Sequence, residues 1–326
     1  MEKEVILSGI RPTGKMHLGH IVGVIDTWLK FQNEEKNCFF EIADFHAMTD
    51  RIDYSRIQKN TIEMVTDWLA LGIDPNKSTI FLQSLVPEHT ELYTIFSLIT
   101  PISWLERCPV YKDIVSNEKI KNPTHGLFGY PVLQAADIAL YKATHIPVGE
   151  DQAPHLELTR KIIRRFNGLF GPIFPEPKTF LTENPKVLGT DGRKMSKSLG
   201  NFISPEENEE GLIKKVMTMI TDPQKIRKND VGNPNICSVY TLHNYYTPNR
   251  QQISVECSSG QRGCVDCKKQ LGAQLYNYFS KFREARESYI VDNGRIRQIV
   301  YDSSIKARLV AKQTIKEVKE VMKINF

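Results

Sequence analysis

No stretch of this 326-residue chain contains the roughly 20 consecutive apolar residues that a membrane-crossing helix needs. The first residues run directly into the strand-like Val5-Ile6-Leu7. No basic region and apolar core precede that strand, so no secretory signal is visible and the cytoplasm is the expected location. Cysteine is scarce, six in all, which argues against a disulfide-stapled secreted scaffold. Internal repeats and low-complexity tracts are absent. Charge of one sign is not in large excess either: 43 Lys and Arg face 38 Asp and Glu, a net +5. What remains is an ordinary globular composition, 40% hydrophobic and 25% charged, on a chain long enough for two domains and a large core.

The small excess of positive charge is unevenly spread. From Ser204 onward 20 basic residues face 14 acidic ones, whereas the first 203 residues carry 23 against 24. A near-neutral first part and a basic second part suit a small-molecule site joined to a module that meets a polyanion. The first part alternates strand and helix signals. Val5–Ile10, Cys38–Ile42 and Ser78–Gln83 read as strands. Helical spacing covers Ile21 to Leu29, Ile57–Leu71 and Thr90–Thr100. This rhythm predicts an α/β, Rossmann-like, doubly wound parallel sheet over residues 1–203, whose ligands bind where the strand order reverses. Pro101, Pro109 and Pro123 break the pattern, and the segment near 100–130 is read as an insertion or subunit contact. Helical signals return at Val132–Ala143 and Pro154–Phe166. An α-helical C-terminal domain is expected over 204–326, with helices near Glu207–Ile220, Lys268–Ser288 and Ser304–Met322.

Two short motifs carry the chemistry. Lys194-Met195-Ser196-Lys197-Ser198 follows Gly192 and Arg193, and a loop with two ammonium groups and two hydroxyls is suited to gripping a polyphosphate and releasing it. Pro12-Thr13-Gly14-Lys15-Met16-His17-Leu18-Gly19-His20 occupies a strand–turn–helix position. There Gly14 and Gly19 permit close backbone approach, and the helix N-terminus attracts anions. His17 and His20 are placed to donate charge-assisted hydrogen bonds to phosphate oxygens. Lys194 and Lys197 are expected to hold a leaving pyrophosphate from the other side. Gly149-Glu150-Asp151-Gln152 precedes a helix. Asp151 can meet a ribose there, although an acidic residue is also an ordinary helix cap. Tyr130, Gln134 and Asp137 share one helix face at i, i+4 and i+7, and a buried Asp there needs a donor partner.

From Leu7 to Phe326 the chain resembles the bacterial tryptophanyl-tRNA synthetases. The two nucleotide motifs resemble those of class I aminoacyl-tRNA synthetases in general. Ser8-Gly9-Ile10-Arg11-Pro12-Thr13-Gly14, Ala43-Asp44-Phe45-His46-Ala47, Gly149-Glu150-Asp151-Gln152 and His155-Leu156-Glu157-Leu158-Thr159-Arg160 carry the specific likeness. Many members of that family have methionine where Gln134 stands, and the Tyr-x3-Gln-x2-Asp spacing also occurs in tyrosyl enzymes. Leu7 favours tryptophan, because tyrosyl enzymes usually place a tyrosine there. The resemblance implies a cytoplasmic homodimer that joins tryptophan to tRNA(Trp) with ATP and Mg²⁺. Tryptophan is first activated to the adenylate, releasing pyrophosphate, and then passes to the 2′-hydroxyl of the terminal adenosine. It further implies ATP contacts at Arg11, Pro12, Thr13, Gly19, His20, Gly149, Glu150, Asp151, Val187, Lys194, Met195, Ser196, Lys197 and Ser198. For the amino acid, Asp137 is implied to orient the indole N–H, Tyr130 and Gln152 to hold the α-amino group, Leu7 and His46 to lie near the ring, and Gln134 to be a further substrate-binding residue. The alternatives are a tyrosine–tRNA ligase on the same motifs and, from another class, a non-catalytic nucleotide- and RNA-binding protein on the same fold.

Four of the six cysteines, Cys237, Cys257, Cys264 and Cys267, form C-x19-C-x6-C-x2-C in the basic second part. In a cytosolic chain such a group points to metal before disulfides, and four thiolates suit either Zn²⁺ or a [4Fe–4S] cluster. Some bacterial tryptophanyl enzymes resemble this stretch in having a lone cysteine followed by C-x6-C-x2-C, which implies a [4Fe–4S] cluster in the anticodon-binding domain; zinc and unliganded thiols are the alternatives. Arg262, Lys268 and Lys269 flank the ligands and are expected to offer positive charge to RNA. Cys38 and Cys108 stand alone and read as reduced, partly buried thiols.

Overall fold

The computed structural model describes residues 4–49, 54–109, 111–112, 115, 120–149, 153–181 and 187–325. Five parallel strands, β1 (Val5–Ile10), β2 (Asn37–Ile42), β3 (Thr79–Leu82), β4 (His145–Val148) and β5 (Lys178–Leu181), pair in the order β3-β2-β1-β4-β5. Val5 lies opposite Asn37, Phe39 opposite Thr79, Ile6 opposite His145 and His145 opposite Lys178. The expected doubly wound sheet is therefore present, and its order reverses between β1 and β4. The two four-residue strands β4 and β5 carry no clear alternation, which is why sequence pattern did not delimit them.

Alternate side chains of the strands feed two apolar layers. Leu7, Phe39 and Phe81 face α5 (Glu88–Ile99), α7 (His125–Leu140) and α8 (Ala153–Phe170). Between α5 and α7 lies the short α6 (Ile102–Glu106). On the opposite face, Ile6, Phe40 and Ile80 meet α2 (Asp26–Asn33) and α4 (Ile57–Ala70). There the indole of Trp28 stacks on Phe40 at 4.2 Å between centroids and meets Trp68 edge-on at 4.9 Å. Helix α7 starts seven residues earlier than expected, because Thr124 caps it by accepting the N–H of Leu127 at 3.2 Å. Of the region near 100–130, residues 110, 113–114 and 116–119 lie outside the described part.

The second part is helical, as expected: α9 (Glu209–Met217), α10 (Ser238–Tyr246), α11 (Arg250–Ser258), α12 (Cys264–Tyr278), α13 (Ser280–Ile290) and α14 (Asn293–Met322). The single helix expected over Lys268–Ser288 is broken at Phe279 into α12 and α13. Helix α14 is longer than its periodic core, because Asp292 caps it through the N–H of Arg295 at 2.9 Å. It leaves the other helices and packs on the sheet with Ala307, Ala311, Ile315 and Val318.

This docking deals with an exposed sheet edge. Strand β3 is an edge strand whose outward N–H groups need acceptors. The hydroxyl of Ser303 accepts the N–H of Ile80 at 2.9 Å, and that of Ser304 accepts the N–H of Leu82 at 3.1 Å. Nearby, Arg308 pairs with the buried Glu88 of α5 at 3.0 Å. Ser303→Ala and Ser304→Ala are each expected to lower stability by about 1–3 kcal/mol, the cost of a buried donor left unpaired. Denaturant titration checks this, with Ser288→Ala, whose hydroxyl only bonds Ala285 within an exposed turn, as a control within about 0.5 kcal/mol of the parent.

Candidate active site

Strand β1 ends at Ile10, and the chain turns through Gly14, whose φ of +128° few other residues adopt. It then enters the helical turn α1 (Leu18–His20), which continues as a π-helix over Ile21–Ile25. His17 and His20 stack with ring centroids 3.7 Å apart. Gly19 makes that possible, since a Cβ there would lie 3.0 Å from the His17 ring. The backbone N–H of His17 donates to Nδ1 of His20 at 3.3 Å, which assigns the His20 proton to Nε2.

Both histidines titrate low. Burial, followed by the positive charge of Lys197, pushes His17 down to about 3. Burial, His17, Lys197 and Lys194 push His20 well below the usual histidine range. Charged donors were expected here. In the free protein the pair is neutral, and each offers a phosphate oxygen an uncharged N–H.

The lysine loop is held against this turn. Met195 is buried in one apolar cluster with Leu18, Ile21, Val22, Val187 and Ile203. Its N–H donates to the carbonyl of Val187 at 2.8 Å, so Val187 acts here as a backbone and packing support. Asn201, which the sequence reading passed over, organises the loop. Its Oδ1 accepts the Ser196 N–H at 2.7 Å, and its Nδ2 donates to Asp191 at 2.7 Å and to the Lys194 carbonyl at 3.2 Å. The Ser196 and Ser198 hydroxyls lie 2.9 Å apart. Lys197 then reaches across 183 positions of sequence and donates to the carbonyl of Gly14 at 2.7 Å. The two motifs thus face each other.

Beside them opens a cavity of about 460 Å³ at the carboxyl ends of β1 and β4. Leu7, Arg11, Thr13, His20, His46, Tyr130, Gln134, Asp137 and Gly149 all line it, whereas His17, Gly19, Val187 and the 194–198 loop do not. Pro12 and Thr13 also border a smaller cavity of about 250 Å³ with Arg56 and Asn60. Glu150, Asp151 and Gln152 lie outside the described residues.

Asp137 is 2% exposed. Its Oδ1 accepts Gln83 Nε2 at 3.0 Å and His89 Nδ1 at 2.6 Å, and its Oδ2 meets His46 Nε2 at 2.8 Å. His89 Nε2 in turn shares a hydrogen bond of 2.9 Å with the Tyr141 hydroxyl. The Gln83 amide is fixed from its other end by the Phe45 N–H at 3.2 Å. Burial works to raise the Asp137 carboxyl, but the hydrogen bonds and fields of the two histidines outweigh it and hold it below the usual carboxylate range. Tyr130 and His155 share a hydrogen bond of 2.6 Å at the cavity wall. Gln83, His89 and Tyr141 escaped the sequence reading. His89, in Pro87-Glu88-His89 at a helix start, resembles an ordinary surface cap.

A family model described as tRNA synthetases class I (W and Y) matches residues 2–280. The chain belongs to that family. A tryptophan–tRNA ligase of Thermotoga maritima is 45% identical to this class I synthetase over 98% of the chain and 99% of the relative. One from Aquifex aeolicus is 43% identical, again covering 98% and 99%. The solved structure of tryptophanyl-tRNA synthetase from Campylobacter jejuni, complexed with ADP and tryptophan, matches with a TM-score of 0.88 at 33% identity, covering 98% of this chain and 99% of that one.

The low histidine titration of this synthetase has a stability consequence. Between pH 6.5 and about 3 the unfolded chain binds a proton at His17 that the folded chain excludes, so stability rises with pH across that window. The contribution is complete above pH 6.5 and is lost as pH falls toward 3. His17→Gln is expected to flatten the fall in thermal unfolding temperature between pH 7 and 5 by the equivalent of about 1–2 kcal/mol.

Proposed function

We propose that this chain is a tryptophan–tRNA ligase acting in the cytoplasm as a homodimer. The observation that carries the reading is the full-length likeness to tryptophan–tRNA ligases, joined to a cavity that gathers both nucleotide and amino-acid residues. The apolar Leu7 on the cavity wall supports an indole over a phenol, since it offers a phenol hydroxyl no partner. Exposed Leu98 and Ile102 beside the 100–130 segment support a subunit contact there. No described helix is long and apolar enough to cross a membrane.

In the first step a tryptophan carboxylate oxygen attacks the α-phosphorus of ATP. The new O–P bond forms as the bond to the β-phosphate oxygen breaks, giving tryptophanyl-adenylate and pyrophosphate. In the second, the 2′-hydroxyl of the terminal adenosine attacks the acyl carbon and AMP leaves. Mg²⁺ on the phosphates supplies charge neutralisation when bound. Positioning and electrostatics from the chain do the rest. His17 and His20 donate to phosphate oxygens at the α1 turn, with Arg11, Pro12, Thr13 and Gly19 shaping the backbone cradle. Lys194 and Lys197, with Met195, Ser196 and Ser198, follow the departing pyrophosphate. Gly149, Glu150 and Asp151 meet the ribose side. Asp137 orients the indole N–H, with His46 near the ring and Gln134 as a further substrate-binding residue, and Tyr130 and Gln152 take the α-amino group.

The four late cysteines are proposed to hold a [4Fe–4S] cluster in the anticodon-binding region of 204–326. They come from the start of α10, the end of α11 and the first turn of α12, are free of disulfides, and lie within electrostatic reach of one another. No three of their sulfurs fall within 4.8 Å of one another. Four thiolates suit zinc as well as an iron–sulfur cluster, and the choice of the cluster rests on the resemblance of the C-x6-C-x2-C spacing. Cys237, Cys257, Cys264 and Cys267 would hold such a cluster between three helices, where its role would be structural. Of the basic residues beside it, Arg262 is paired with Glu256 and Lys268 donates to the Met217 carbonyl at 3.1 Å, which leaves the exposed Lys269 to face RNA.

Tryptophan-dependent pyrophosphate exchange tests the ligase reading, and a strong preference for tyrosine in that assay is the outcome that overturns it. In the same assay Lys197→Ala is expected to lower the activation rate by about 10²–10³ while tryptophan affinity stays within about threefold, because its partner charge develops only during displacement. Equal loss in both removes the role. For the cluster, anaerobically purified protein is expected to carry about four irons with matching sulfide and a brown chromophore, which Cys267→Ser abolishes. One zinc per colourless chain refutes it.

A further inference from the structure

One polar group in the amino-acid cavity has no part in the function proposed above. Glu41 interrupts the buried run Cys38-Phe39-Phe40-Glu41-Ile42 on β2, and it is only 4% exposed. Its register partners are Gly9 on β1 and Phe81 on β3. Gly9 is what admits it: a Cβ at that position would lie 3.1 Å from the Glu41 Cβ and 3.3 Å from Oε2. The side chain lines the cavity with Leu7, His46, Gln134 and Asp137.

An acid in an apolar strand is costly unless it is hydrogen-bonded, yet Oε1 of Glu41 is buried without a partner among the described residues. One Glu41 oxygen, a His89 ring nitrogen and an Asp137 oxygen lie within 4.8 Å of one another. His89 is already engaged with Asp137 and Tyr141, and three donors already occupy Asp137. Burial, then the charges of Asp137 and Asp44, push the Glu41 carboxyl well above the usual range.

We infer that Glu41 is a specificity-determining residue of the tryptophan pocket, its Oε1 serving as a second acceptor for the indole N–H that Asp137 orients. The inference rests on reading this cavity as the tryptophan pocket. A dry acceptor with no partner gains one only when a ligand brings a donor to it. A ring of the same size without that donor leaves it unpaired, and such sites discriminate strongly against the deficient analogue.

The test is pyrophosphate exchange by the full-length enzyme with tryptophan and with β-(3-benzothienyl)alanine, in which sulfur replaces the ring N–H. The parent is expected to prefer tryptophan in kcat/KM by about 10²-fold or more. Glu41→Gln keeps an acceptor and should hold that ratio within about threefold. Glu41→Val should lose about 10- to 100-fold on tryptophan, mostly through KM, while the analogue is used as before. An unchanged ratio in Glu41→Val overturns the inference and leaves Asp137 as sole acceptor. Equal collapse on both substrates also overturns it, since a residue acting only on the ring donor does not touch the analogue. A parent enzyme that activates tyrosine and not tryptophan removes the functional reading itself, a result distinct from either.

Discussion

The carboxylate of Asp137 lines the cavity, and a charge so deeply buried is tolerable only because three donors converge on it. They come from three places: His46 on α3 (Asp44–Ala47), Gln83 just after β3, and His89 on α5. Asp137 itself projects from α7. The hub therefore ties three helices and one strand end into one arrangement. Each donor is held in turn, Gln83 by Phe45 and His89 by Tyr141. The shape of the cavity wall depends on this network. Removing one donor strands a charge rather than relaxing the site.

A second constraint joins the nucleotide motifs. Met195 anchors the lysine loop in the same apolar cluster as Leu18 and Ile21 of the histidine turn. Because the two share one cluster, Lys197 stands where it reaches the Gly14 carbonyl. Further out, Arg286 of α13 bridges Asp67 of α4 at 2.6 Å and Glu206 at 3.1 Å, while Glu206 also pairs with Lys15. Apolar anchoring sets the place of the loop, and polar contacts that phosphate oxygens can replace set its position within that place. Such a division suits a segment proposed to grip a polyphosphate and release it.

Much of the fold was legible because it rests on periodicity. Ile57–Ala70 and the strands β1 and β2 follow from apolar spacing alone. Strands β4 and β5 did not, since four residues such as His145-Ile146-Pro147-Val148 carry too little pattern, and their pairing is decided by neighbouring strands. The break at Phe279 and the return of α14 to the sheet were also hidden. Both depend on partners far away in sequence: Ile80 and Leu82 select Ser303 and Ser304 through hydrogen bonds spanning more than 200 positions.

The sequence by itself determined the chemistry on offer: two histidines at a glycine turn, a double-lysine loop, Tyr130, Gln134 and Asp137 on one helix face, and four clustered thiols. Local motif spacing suffices for these, because covalent distance alone keeps their members together. Only the tertiary structure decided their protonation and their partners. Burial makes His17 and His20 neutral, the two histidines around Asp137 keep it ionised, and the gap left by Gly9 lets an acid, Glu41, stand inside a strand. Desolvation and the field of distant charges act through space, and nothing in the order of residues along the chain records them.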